Sequence, residues 1–145
     1  MSALPQSVAL VEKLLTVIWV GSLWTIGFMV APLLFQVLTD RALAGLIAGR
    51  LFGMESYLGL ICGSLLLLIQ FIAPQSPTHS RWRILLLILM LALILVGEFG
   101  LQPVLADLKA QGLSQGPEFA RWHAVSAGIY VVNSILGLLW VCLQK

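Results

Sequence analysis

What most restricts this chain is where its charges are missing. Four stretches, residues 14–35, about 53–73, 84–106 and 124–143, are apolar and almost free of charge. Roughly 20 helical residues cross the ~30 Å hydrocarbon layer of a bilayer, so each stretch is long enough to span it. Inside lipid every backbone N–H and C=O must be satisfied within the protein, which favours helices. The expected fold is therefore all-α: an integral membrane four-helix bundle made of two consecutive helical hairpins. It forms a single transmembrane domain over residues 1–145, with helices at about 8–35, 41–73, 83–106 and 119–143.

Charge narrows the function classes. Eight basic and six acidic residues are spread along the chain with no basic cluster, which argues against nucleic acid as a partner. The expected surroundings are the lipid bilayer, with a homo-oligomer or another membrane protein as possible partners. Cys62 and Cys142 lie in apolar runs without CxxC spacing and read as small hydrophobic fillers. The first apolar run, 22 residues without a charge, is too long for the core of a secretory signal, so it is expected to be retained as a helix. Lys13, Arg81, Arg83 and Lys145 belong to one side, and Arg41, Arg50, Lys109 and Arg121 to the other. The first set lies close to span ends, in tails and a short loop. This predicts a multi-pass protein of the cell inner membrane with both termini in the cytoplasm.

The last apolar segment carries one polar seam, made of His123, Ser126, Tyr130, Asn133 and Gly137, all within about 40° of one line at 100° per residue. Such a seam should face the interior, because unpaired polar groups are costly in hydrocarbon. Small residues mark other close-packing lines: Gly21 with Thr25 on the first helix, flanked by Ile18 and Phe28, and Gly45, Gly49, Gly59 and Gly63 along the second. Gly21, Gly49, Gly59, Gly63 and Gly137 are the packing positions this pattern selects. Thr39 and Asp40 read as the start of the second helix, and residues 74–83 as a hairpin loop. The hairpins echo one another, since Pro32 and Pro103 are each followed by two apolar residues and later by an Asp and a basic residue.

Hairpin topology brings Gln36, Glu55, Glu98, Gln102, Arg121 and His123 toward one end of the bundle. Ligand binding is therefore sought in a polar cluster of Glu55, Glu98, Gln102, Arg121, His123, Ser126, Tyr130 and Asn133. Glu98 reads as the one formal charge well inside a span, either a structural anchor for Arg121 or His123 or a ligand or proton site. His123, beside Trp122, fits either an interfacial hydrogen-bonding role or a metal or haem ligand. The other histidine, His79, belongs to the opposite loop, so one chain supplies no histidine pair for haem. Met29, Met54 and Met90 form no copper-binding row, and Ser126 beside His123 offers only a spacing, where nucleophilic catalysis would need an acid, an exposed nucleophile and an oxyanion site. No catalytic residue and no cofactor is expected, with haem or a metal at His123 as the alternative. The reading is a non-enzymatic protein that binds a small ligand or a membrane partner at the polar end. A redox protein and a small-solute or proton conductor are the alternatives.

Several motifs together resemble a known family. They are Trp19-Val20-Gly21, Ala31-Pro32, Ala44-Gly45 through Ala48-Gly49-Arg50-Leu51-Phe52, Gln102-Pro103, and Phe119-Ala120-Arg121-Trp122-His123 with Ser126. The chain resembles the small four-helix membrane proteins catalogued as domain of unknown function 4149, similar to eukaryotic transmembrane protein 205. The resemblance implies a membrane domain and carries no established activity with it. Ile18-Trp19-Val20-Gly21 to Pro32 also resembles the first helix of the copper-resistance-D and membrane protoporphyrinogen-oxidase group. Those proteins tend to have a histidine near the start of that helix, where this chain has Glu12 and Lys13.

Overall fold

The computed structural model describes residues 6–72 and 77–144, and it is helical with no strand among them. Four long helices follow one another: α1 (Gln6–Val37), α2 (Arg41–Ile72), α3 (residues 77–110) and α4 (Pro117–Cys142), each apolar and long enough to cross a membrane. Part of the stretch read as a loop is helical, since α3 already begins at Pro77, so Arg83 is a helix residue; residues 74–76 lie outside the described ones.

Local chemistry explains the helix ends. Asp40 caps α2, its Oδ1 accepting from the amides of Ala42 at 2.8 Å and Leu43 at 3.1 Å. At the end of α3, Gly112 takes φ +75°, which lets the amide of Leu113 reach the carbonyl of Leu108 and that of Gly112 reach Lys109. This is a Schellman closure, and it needs a residue without a Cβ penalty in the left-handed region. Pro117 then begins α4, where its missing amide hydrogen costs nothing.

α1 and α3 are both interrupted by a π-helical turn, at Ile26–Val30 and Val96–Leu101. In each, the amide just before a proline bonds five residues back, Ala31 to Ile26 and Gln102 to Gly97. Pro32 and Pro103 have no amide hydrogen for the carbonyls of Phe28 and Phe99 four residues earlier, and the wider turn is the local adjustment to that loss.

The helices pack in a ring, α1 against α2 and α4, and α3 against α2 and α4, so that α1 and α3 stand diagonally. The core is Trp19, Leu23, Cys62, Leu66, Leu87, Met90, Ile94 and Trp140, with Val20, Leu101, Leu105 and Leu108 also buried and many other large apolar side chains turned outward. In lipid such a bundle is held mainly by close contact between helices, and glycines allow it. A Cβ on Gly63 would meet Leu91 and Trp19, and one on Gly137 would meet Val20 and Met90. These two environments are copies of one another. Trp19 and Met90, like Val20 and Leu91, are 71 positions apart, and Gly63 and Gly137 are 74 apart. The same offsets relate the buried rows Glu12, Thr16, Trp19, Leu23 and Arg83, Leu87, Met90, Ile94, as well as Phe28-Pro32 and Phe99-Pro103. The contacts of the two hairpins are thus related by a pseudo-two-fold, which takes in Pro32 and Pro103 of the sequence echo but not Asp40 and Asp107, which are 67 apart.

Candidate functional site

Polar side chains enter this bundle at two levels. At the end that holds both termini, Glu12 on α1 and Arg83 on α3 are buried and form an ion pair across the diagonal, at positions equivalent under the pseudo-two-fold. The Arg83 guanidinium lies 4.6 Å from the centre of the Trp140 ring. Trp140 Nε1 donates to Thr16 Oγ1 at 3.0 Å, Gln144 Nε2 donates to the same hydroxyl at 2.7 Å, and the Thr16 hydroxyl donates to the Glu12 carbonyl at 2.9 Å. Three helices and the residue just beyond α4 are tied together here. An isolated charge would be expensive at this depth, whereas a paired and hydrogen-bonded one is tolerated.

The second level lies near the middle of the helices. Glu55 on α2 is 3% exposed, 14 residues from Arg41, and its Oε1 has no hydrogen-bond partner. Its helix face continues through Gly59, Cys62, Gly63, Leu66 and Gln70, all buried. Three residues before Glu55 on the same helix, Phe52 meets the ring of Tyr130 on α4 edge-on, with centroids 4.9 Å apart. Gly27, in the π-turn of α1, leaves room for that ring, because a Cβ there would collide with it. The Tyr130 hydroxyl donates to the Leu23 carbonyl at 2.6 Å. The Ser134 hydroxyl donates to the carbonyl of Tyr130, and Trp24 Nε1 donates to the carbonyl of Ser134. From the π-turn of α3, Glu98 Oε1 reaches 3.8 Å from where a Cβ on Gly53 would stand. Two more buried atoms have no partner at or near this level: Trp19 Nε1, which lies against Gly59, and Asn133 Oδ1, the counterpart of Gly59 on α4. Most buried polar groups in folded proteins find partners, so these three orphans set the region apart from ordinary packing, as do Gln70 Oε1 and Arg83 Nε toward the other end.

The sequence profile of the family described as Domain of unknown function (DUF4149) matches residues 14–114, more than half of the chain. The chain belongs to the DUF4149 family. No curated protein and no solved structure matches it. The matched stretch of this DUF4149 protein contains Trp19-Val20-Gly21, Ala31-Pro32, the segment before Phe52, and Gln102-Pro103, while the Phe119–Ser126 motif falls after it.

The polar residues anticipated in this DUF4149 protein are dispersed along its length. Glu98 stands 12 residues from the end of α3, about 18 Å, level with Tyr130 rather than at the bundle's mouth. Arg121 and His123 are exposed near the start of α4, His123 stacking on Phe119, and neither pairs with Glu98. Gln102 and Ser126 are half-buried, and Asn133 is buried. The seam of α4 turns inward only below His123. Glu55 and Asn133 are therefore buried and Glu98 and Tyr130 half-buried at neighbouring levels, whereas Arg121 and His123 are exposed.

Among the packing glycines, Gly59, Gly63 and Gly137 lie against neighbouring helices, but Gly21 and Gly49 have nothing within 4 Å of a would-be Cβ. The Gly21-Thr25 line with Ile18 and Phe28 faces outward, because α1 presents Thr16, Trp19, Val20 and Leu23 to its neighbours instead. The residues missed by sequence reasoning are Glu12 and Arg83. Their signal was available in the repeat offset, which makes a Glu and an Arg equivalent at one level of a diagonal. Among the described residues, no group of three His, Cys, Asp or Glu side chains is arranged to hold a metal.

Proposed function

We propose that this protein binds a small ligand inside the bundle, at Glu55 together with Tyr130, Glu98 and Asn133, and that it does so without transforming it. The observation that carries the reading is the unpartnered Glu55 oxygen in a side chain only 3% exposed, at mid-length of a membrane helix. Intramembrane carboxylates are expensive, and they commonly serve ligands or ions when no partner holds them. The pseudo-two-fold supports the same reading: the counterparts of Glu55 and Glu98 are Ile129 and Gly27, so packing at these positions does not demand an acid. Binding rather than catalysis is favoured because the nearby hydroxyls of Tyr130 and Ser134 donate to backbone carbonyls, not to a base. We place this membrane protein in the inner membrane with both termini cytoplasmic, in line with exposed Lys13 and Arg81 at the end that holds the termini.

A ligand that binds the folded state raises its stability by mass action. The test is a thermal-shift screen of purified protein in detergent against sets of amines, carboxylic acids and neutral aromatics. At least one compound is expected to raise the unfolding midpoint of the wild type and to leave a folded Glu55→Gln variant unmoved. Equal shifts in the two proteins, or none in the wild type, would reject a site at Glu55.

A further inference from the structure

We infer that the ligand of the Glu55 site is a protonated amine. The inference rests on the binding reading above and adds the charge and donor character of the ligand.

Charge is the first argument. Glu55 and Glu98 both belong to this level, and among the described residues no cation joins them. Lys13, Arg41, Arg50, Arg81, Lys109 and Arg121 are exposed. Arg50, five residues before Glu55, points about 140° away around α2. Arg83 is buried, but it is paired with Glu12 and stands 15 residues, about 22 Å, along α3 from Glu98. A carboxyl buried without a resident counter-charge is held toward its neutral form, and a bound cation is the partner that would favour its ionised form.

Hydrogen bonding is the second. The unpartnered buried atoms of this level are two oxygens, Glu55 Oε1 and Asn133 Oδ1, and one donor, Trp19 Nε1, an excess of acceptors that suits an occupant bringing N–H groups. A charged N–H donor to a carboxylate forms the stronger class of hydrogen bond. Aromatic rings supply the third argument. The Phe52–Tyr130 pair stands at this level, where ring faces attract an ammonium group. The pseudo-symmetric comparison is the fourth, since both acids replace residues that the other half of the bundle fills with Ile129 and Gly27.

The test is equilibrium binding of radiolabelled benzylammonium to the full chain in nanodiscs near neutral pH, with benzyl alcohol as the uncharged probe. Saturable benzylammonium binding is expected in the wild type, weaker by at least about tenfold in Glu55→Gln, with a smaller loss in Glu98→Gln. Gel filtration establishes that each variant is folded, and Glu98→Gln serves if Glu55→Gln is not. Benzyl alcohol binding as tightly as benzylammonium, and equally dependent on Glu55, would overturn the amine while leaving a ligand site at Glu55 intact. Absence of saturable benzylammonium binding, or unchanged binding in the folded variants, would also overturn it.

Discussion

The end of the bundle at Glu12 and Arg83 and its middle at Glu55 both bury charge, yet they treat it in opposite ways. Glu12 meets a guanidinium, which in turn lies over an indole ring, with Thr16 and Gln144 completing the network. Glu55 meets no cation, and one of its oxygens has no partner. Under the pseudo-two-fold, Glu12 and Arg83 are each other's counterparts, so their charges are a matched device of the fold. Glu55 and Glu98 are opposed by Ile129 and Gly27 and break the repeat. The contrast separates polar groups that pair across the bundle from polar groups that the bundle leaves without a partner.

Removing one partner of the buried pair should have the largest effect. Arg83→Ala leaves Glu12 buried without a counter-charge and is expected to destabilise the bundle by about 3–5 kcal/mol. Replacing both residues together, Glu12→Leu with Arg83→Met, should recover most of that loss. Unfolding in detergent monitored by circular dichroism compares the three proteins. If the double variant is as unstable as Arg83→Ala, the pair does not act as a unit.

A smaller effect is expected where the helices touch. Gly63→Val must displace Leu91 or Trp19, whose atoms already stand 2.7 and 3.0 Å from a Cβ at that position, and overpacking of this kind costs about 1–3 kcal/mol. Gly21→Val, with open space around it, should shift stability by less than about 0.5 kcal/mol. The same unfolding assay decides, and similar losses at both glycines would mean that the outward face of α1 is also covered by protein.

The smallest change in stability is expected at Glu55. Glu55→Ile copies the residue that the other hairpin uses and should leave stability unchanged or raise it by about 1 kcal/mol, because an unpaired buried acid is replaced by an apolar side chain. A loss of several kcal/mol in Glu55→Ile would make Glu55 a structural anchor and remove the contrast with Glu12.

Much of the fold was legible in the residues. Runs of about 20 apolar positions announce four spans, Asp40 marks the start of α2, and Gly112 marks the end of α3, since each acts through local chemistry, whereas α3 runs on through Pro103. The site was legible in part. Glu55, Glu98, Tyr130 and Asn133 stand out as polar residues in apolar helices, but their grouping with Arg121 and His123 assumed a common end of the bundle. Rise along the helix separates them: Tyr130 lies seven residues, about 10 Å, beyond His123. The small-residue lines were ambiguous for a different reason. A glycine permits close approach without requiring it, so Gly63 and Gly21 look alike until the neighbouring helix is in place.

By itself the sequence determined that the chain is a four-helix membrane domain of two hairpins, because hydrocarbon thickness and the need to satisfy the backbone leave an apolar chain little freedom. It also placed the two prolines that produce the π-turns. Which side of each helix faces inward, and therefore that Glu12 meets Arg83 while Glu55 meets no cation, was decided only by tertiary structure. The physical reason is that lipid and protein interior are both apolar. Hydrophobic patterning, which orients helices in water, does little to orient them here, and contact between shapes such as Trp19 on Gly59 and Gly63 settles the register instead.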